Sequence, residues 1–203
     1  TLRAGGNNLS TTNSAVLSGA GSFIKDGAGT MILSGNNTYT GATVITNGVL
    51  HTNATERLAH LSPLVISGGA VFNMNNFNET VGSLSGAGAV NLGSGKFTVG
   101  TTNTVSFSGS INGSGQVVKS GAGSQILSGT NTYAGATTIN AGNLRINGAA
   151  ANSAVTVASG GTLSGSGLIG TAAVNSGATN SPGADAPGAL ASAGETWSGG
   201  ANY

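Results

Sequence analysis

The chain contains no cysteine, only 3 prolines in 203 residues, 4% aromatics and 5% charged residues. Each scarcity removes a class of answer. Without cysteine there are no disulfides, no thiolate metal sites and no cysteine nucleophile, and a chain that must cross a membrane unfolded does better without disulfides. So few prolines exclude collagen and proline-rich linkers. A formal net charge of +1 leaves no electrostatic footprint for nucleic acid or an anionic membrane. No apolar run approaches the ~18 residues of a membrane span, and no signal peptide is visible. Both ends fall inside ordinary repeat texture and read as cuts in a longer chain. Hydrophobic residues still make up 38%, which argues against disorder.

What is abundant is glycine, 37 residues, far above the usual ~7%. Against a background of Gly, Ser, Thr and Asn, regularly spaced Val, Ile and Leu read as many short strands joined by tight turns.

One stretch is written twice. KSGAGSQILSGTNTYAGATTINAGNL, Lys119–Leu144, repeats KDGAGTMILSGNNTYTGATVITNGVL, Lys25–Leu50, at an offset of 94 residues with identity at 17 of 26 positions. The shared residues are core formers (Ile32 with Ile126, Leu33 with Leu127, Ile45 with Ile139) and turn formers (Gly35 with Gly129, Gly41 with Gly135, Gly48 with Gly142). No acid, histidine or cysteine is shared, so the duplicated unit is structural and not a reaction centre. Each copy predicts three short strands, near 30–33, 42–46 and 49–52 and again near 124–127, 136–140 and 143–147. Strands this short pair poorly as local hairpins but stack well on the next coil of a solenoid, where neighbours complete each other's core. Asn37 and Asn131 suit left-handed corners and amide ladders. The whole chain is expected to form one β-helical unit, with strong repeats at 25–52 and 119–146 and a transitional coil over 179–203.

Residues 51–63, HTNATERLAHLSP, break the composition. His51, Glu56, Arg57 and His60 crowd there, and residues 55–61 could form a helical turn. A loop leaving the coil is expected, and it is the candidate interaction site.

The doubled motif resembles the passenger-associated transport repeat of bacterial autotransporters. Its Gly-x-Gly start, apolar-Ser-Gly strand end, Asn-Thr-Tyr, Gly-x-Thr and Gly-x-Leu all stand in both copies. VGSLSGAGAVNLGSGKFTVG and TNSPGADAPGAL fit the same family. Gln125 and Met31 occupy a position where the pattern prefers an apolar residue, and Ala42 and Ala136 replace a common Gly. The resemblance implies an all-β, right-handed parallel β-helix at the Gram-negative cell surface or released from it. It also implies a C-terminal translocator barrel in the full-length chain and repeats that help folding during secretion.

Chemistry finds little support in the residues. The acids Asp26, Glu56, Glu79, Asp185 and Glu195 form no close pair in sequence, so a carboxylate dyad is not expected. Two loop histidines beside one glutamate lack a third metal ligand. No nucleophile elbow, phosphate loop or calcium-roll repeat is present. Tyr39 and Tyr133 recur and read as stacked corners more readily than as a carbohydrate platform. No catalytic residue, metal or cofactor is expected. The expectation is a passenger stalk that presents an adhesive or self-associating surface, with host surface or matrix molecules or a second copy as partners. The alternative is the scaffold of a secreted enzyme or toxin whose active domain lies upstream.

Overall fold

The computed structural model describes residues 1–183 and 188–203. Asp185 and the middle of TNSPGADAPGAL lie outside the described residues. No helix occurs among those described, and every named strand pairing is parallel.

The chain winds as a three-faced β-helix. Face 1 carries ten strands, from Leu2–Ala4 to Thr179–Pro182. Face 2 carries six, from Thr11–Asn13 to Ser110–Asn112, and the pair Ala149–Ala150 and Leu168–Ile169 follows it in chain order. Face 3 carries seven, from Glu79–Val81 to Gly194–Trp197. At about 4.8 Å per rung, ten rungs give a rod roughly 45 Å long.

Strands of three to five residues alternate inward and outward. Thr43 and Ile45, and Thr137 and Ile139, point inward around Val44 and Thr138. Stacking sets the inward apolar residues above one another in a single core that runs from Phe23 to Leu190. Each Leu, Ile or Phe fully withdrawn from water there contributes roughly 1.5–3 kcal/mol.

Corners are built by close approach. Gly129 sits directly over Gly109, and a Cβ on Gly129 would lie 1.9 Å from the Gly109 carbonyl oxygen. The same column continues through Gly148 and Gly167, each stacked on the glycine of the coil before it. Gly48 and Gly142, equivalent in the two repeats, turn with φ of 66° and 65°, a region glycine enters without steric penalty.

The two repeats do not occupy the same faces. In the first, Phe23–Lys25 and Thr43–Ile45 stack on face 1, while Thr30–Leu33 and Val49–Thr52 stack on face 2. In the second, Val117–Lys119 and Thr137–Ile139 stack on face 3, while Ser124–Leu127 and Gly142–Ile146 stack on face 1. The second copy is turned by one face around the axis. Each repeat nevertheless pairs its first strand with its third and its second with its fourth, so the repeat spans two coils and stacks on itself.

Three expectations change. Residues 55–61 form no helical turn. The segment between Thr52 and Pro63 is also not an appendage: it closes its coil on the third side, with Leu58 and Ala59 buried in the core. Asn37 and Asn131 do not take left-handed backbone, since among the described residues the non-glycine ones that do are Asn8, Glu56, Leu61, Asn75 and Asn76.

Candidate functional site

In each repeat the third side carries no strand, only the arc Asn-Thr-Tyr. Buried side chains fasten this arc to the coils on either side. The Asn37 amide oxygen accepts from Leu17 N–H at 2.8 Å, and its Nδ2 donates to the Arg57 carbonyl at 2.6 Å. Asn131 accepts from Ile111 N–H at 3.0 Å and donates to the Ala149 carbonyl at 3.0 Å. The backbone follows suit, with Thr38 N–H on the Leu17 carbonyl at 2.8 Å and Thr132 N–H on the Ile111 carbonyl at 2.9 Å. A side-chain amide thus replaces the strand ladder where the chain runs without one, satisfying groups that burial would otherwise leave unpaired.

The tyrosines are buried, which removes the platform reading. The Tyr133 hydroxyl meets Thr137 Oγ1 at 2.6 Å, and Thr137 Oγ1 meets Ser153 Oγ at 2.8 Å. Tyr39 bonds Thr43 in the same way, and Thr43 Oγ1 reaches Ser62 Oγ at 3.2 Å. Burial raises the pKa of both phenols.

A third interior feature escaped the sequence. Lys25 and Lys119 are 0% and 1% exposed. Lys25 Nζ donates to the carbonyls of Asp26, Gly27 and Asn47 at 2.8, 2.7 and 3.1 Å. Lys119 Nζ donates to those of Ser120, Gly121 and Ala141 at 2.7, 2.7 and 3.2 Å. Burial lowers both pKa values, that of Lys119 to about 8, while the Asp26 charge partly opposes the shift at Lys25. The signal available was a lysine at the same place in both copies.

Of the candidate interaction residues, the structure brings three together. Glu56, Arg57 and His60 share the segment that closes the coil above the first repeat, with His60 Nδ1 3.6 Å from Glu56 Oε2. His51 stands apart on face 2, stacked between Ile32 and Asn73. The acids do converge in space. Glu56 Oε2 accepts from Thr80 N–H at 3.1 Å and Oε1 from the Thr80 hydroxyl at 2.8 Å. Glu79 in turn reaches the segment and accepts from Arg57 N–H at 2.8 Å and Leu58 N–H at 3.2 Å. Glu79 is fully buried, and burial pushes its carboxyl up to about 8 against those two N–H groups, with the Glu56 charge adding to the rise. This pair fastens one coil to the next, with Glu79 buried and Glu56 half-exposed.

Two of the outer faces carry ladders of mostly short polar side chains, while face 1 stacks Ile24, Val44 and Val65 outward. Face 3 stacks Thr80, Thr98, Val118, Thr138, Thr156, Ala173 and Thr196. Face 2 stacks Asn73, Asn91 and Asn112, with Asn112 Nδ2 donating to Asn91 Oδ1 at 3.3 Å. The amide ladder therefore lies on the outside of face 2. A groove of about 380 Å³ along the glycine corner is lined by residues such as Ala70, Gly88, Gly109 and Thr130 and holds no acidic or basic side chain. Among the described residues no group of three His, Cys, Asp or Glu side chains is placed to hold a metal.

The passenger-associated transport repeat family matches residues 23–51 and 117–146. The chain is also 35% identical over 157 residues to an adhesin, BmaC autotransporter, of Brucella suis biovar 1 (strain 1330), an alignment covering 70% of this chain and 5% of that protein. The chain thus spans about one-twentieth of the curated relative's length. No solved structure matches it.

Proposed function

We propose that the chain is autotransporter passenger material displayed at or released from the Gram-negative outer membrane, a β-helical stalk that folds as it is secreted and holds an adhesive surface outward. The observation that carries this reading is where the duplicated residues sit. Of the nine positions at which Lys25–Leu50 and Lys119–Leu144 differ, eight are exposed or half-buried, and the ninth is Met31 against Gln125. What the repeats share is interior bonding. A unit selected for a binding face would repeat its outside.

Adhesion belongs to the outer ladders, and it is the term in the printed name of the relative. Uncharged Thr and Asn columns suit a host surface or matrix molecule, or a second copy of the chain, through many weak hydrogen bonds. Catalysis forms no part of this reading. A translocator barrel is expected elsewhere in the full-length protein. The tip of the closing segment, His60 with Leu61 exposed at 54%, is the place where a specific partner would touch.

The experiment removes one coil without disturbing the winding. Val117 pairs with Thr137, so deleting Val117–Ala136 in the full-length protein joins the coils in phase. Val71 pairs with Ala89, so deleting Val71–Gly88 is the matched control. Display on the bacterial surface, and adhesion per displayed molecule, are scored separately. Display should collapse for the first deletion and largely survive for the second, with adhesion per survivor retained. Equal display for both would remove the transport role, and lost adhesion at normal display would make the repeat itself the contact surface. For the tip, His60→Ser with Leu61→Asn keeps Leu58 and Ala59 in the core, and Asn tolerates the φ of 60° at position 61. Unchanged adhesion in that variant would clear the segment of contact.

A further inference from the structure

Two of the three lysines in the chain are buried, and they are the two that the repeats share; Lys96 is exposed. A buried ammonium without partners is strongly destabilising. Here each of its three N–H donors lands on a backbone carbonyl, and the arrangement is the same on different faces of the rod. Two carbonyls come from the turn that directly follows the lysine. The third, of Asn47 or Ala141, comes from the turn one coil later. A single coil therefore cannot satisfy the lysine. Until the second coil lands, the third N–H has no carbonyl to reach and depends on water.

We infer that each transport repeat is a two-coil folding nucleus, closed when carbonyls from two consecutive turns capture its lysine ammonium. This rests on the stalk reading above and gives its transport role a physical device. The Tyr-Thr-Ser chain and the Asn Nδ2 tie the same two coils together, and the Asn Oδ1 reaches back to the coil before them. Their outermost partners are Leu17 and Ser62 in one repeat, and Ile111 and Ser153 in the other. The nucleus is accordingly wider than the matched repeats, 23–51 and 117–146. Its internal closures span about one coil each, which keeps the loop-closure penalty of the first step small. Later coils then add onto a finished template, as in any one-dimensional stack.

The test is kinetic and uses the 203-residue chain with Lys25→Met, Lys119→Met and the double variant. Either nucleus can start the stack, so each single variant should slow refolding at most about twofold. The double variant should slow it about tenfold or more, the scale of one charge-assisted hydrogen-bond set lost from a transition state. Each single variant should instead unfold faster, because the intact repeat supplies the nucleus and the lost cage closes after it; the double variant, relative to either single one, should lose refolding rate with little further change in unfolding, since a contact already made in the transition state leaves that limb alone. A double variant that refolds as fast as the single ones and only unfolds faster would overturn the inference, since both lysines would then close after the rate-limiting step. A double variant that does not refold leaves the decision to chemical rescue. Lys25→Ala/Lys119→Ala should regain refolding in ethylammonium and not in tetramethylammonium, which has no N–H to donate. No recovery in either contradicts a carbonyl cage that waits for an ammonium. Surface display of the coil deletion is read independently. Display that needs the repeat, with normal refolding of the double lysine variant, keeps the stalk reading and discards this one.

Discussion

The two repeats differ at one buried position, Met31 against Gln125, and otherwise only at exposed or half-buried ones, and they stand on different faces of the rod. Lys25 and Lys119, Asn37 and Asn131, Tyr39 and Tyr133 make equivalent bonds, although one repeat uses faces 1 and 2 and the other faces 3 and 1. The neighbouring coils differ too. Above the first repeat the clamp of Asn37 lands on Arg57 in a long closing segment; above the second, that of Asn131 lands on Ala149 in a short strand. Neither the face nor the partner coil's sequence matters to the repeat. Its information lies in how it binds two coils together, and the outside remains free to vary.

The largest effect should come from the glycine column. Gly129→Ala brings a Cβ to 1.9 Å from the Gly109 carbonyl, and Gly35→Ala to 2.3 Å from that of Ala15. Both should lose about 3 kcal/mol or more, read from denaturant midpoints. If Gly129→Ala were tolerated and Gly35→Ala were not, the equivalence of the repeats would fail. Next come the lysines. Lys119→Met leaves three buried carbonyls unpaired and should cost about 2–4 kcal/mol, with Lys25→Met close to it. Asn37→Ala and Asn131→Ala should each cost about 1–3 kcal/mol, the penalty of stranding a buried N–H and C=O.

The one interior difference offers a sharper test. The Gln125 amide crosses two coils, donating to the Leu84 carbonyl at 2.9 Å and accepting from Leu84 N–H at 3.3 Å. It does so where the face 1 strands Ser83–Gly86 and Thr104–Phe107 share only the pair Gly86 with Phe107. Gln125→Met should therefore destabilise by about 1–2 kcal/mol despite matching the first repeat, and Met31→Gln by about 2–3 kcal/mol, since a buried amide there finds no broken ladder to fill. Two neutral outcomes would mean the repeats are interchangeable at this position.

The last test is a pH slope. In the fold Glu79 holds its proton up to about 8, against a normal 4.5. Its stabilising contribution is therefore complete below about pH 4.5 and lost as pH rises through 8. Glu79→Gln carries no charge at any pH, so the stability of the parent chain relative to this variant should fall between pH 5 and 9. A flat difference would show the carboxylate to be fully stabilised by Arg57 and Leu58.

Much of the architecture was legible in the residues. Strands near 30–33, 42–46 and 49–52 follow from Gly and Asn punctuation around alternating Thr, Val and Ile, and the structure places them at Thr30–Leu33, Thr43–Ile45 and Val49–Thr52. The tyrosines read as corners and lie buried as corners. What stayed hidden depends on the pitch of the coil, which local pattern does not supply. The meeting of Glu56 with Thr80, and of Glu79 with Arg57, needs the number of residues in that one turn of the helix. The same holds for the one-face rotation, because an offset of 94 residues is not a whole number of coils. Lys25 and Lys119 were visible as a repeated letter, but a lysine defaults to the surface, and only its burial over two turns reveals its partners. The closing segment looked like an insertion because its charges are conspicuous and its two core residues, Leu58 and Ala59, are not.

The most direct check on the central claim is native-state hydrogen exchange of the 203-residue chain at the two arcs that carry no strand. If interior clamps hold the repeats together, the amides of Thr38 and Thr132, donated to Leu17 and Ile111, will exchange as slowly as those of the flanking strands and as slowly as each other. Exchange at the rate of surface loops, or protection in one repeat and not the other, would contradict it.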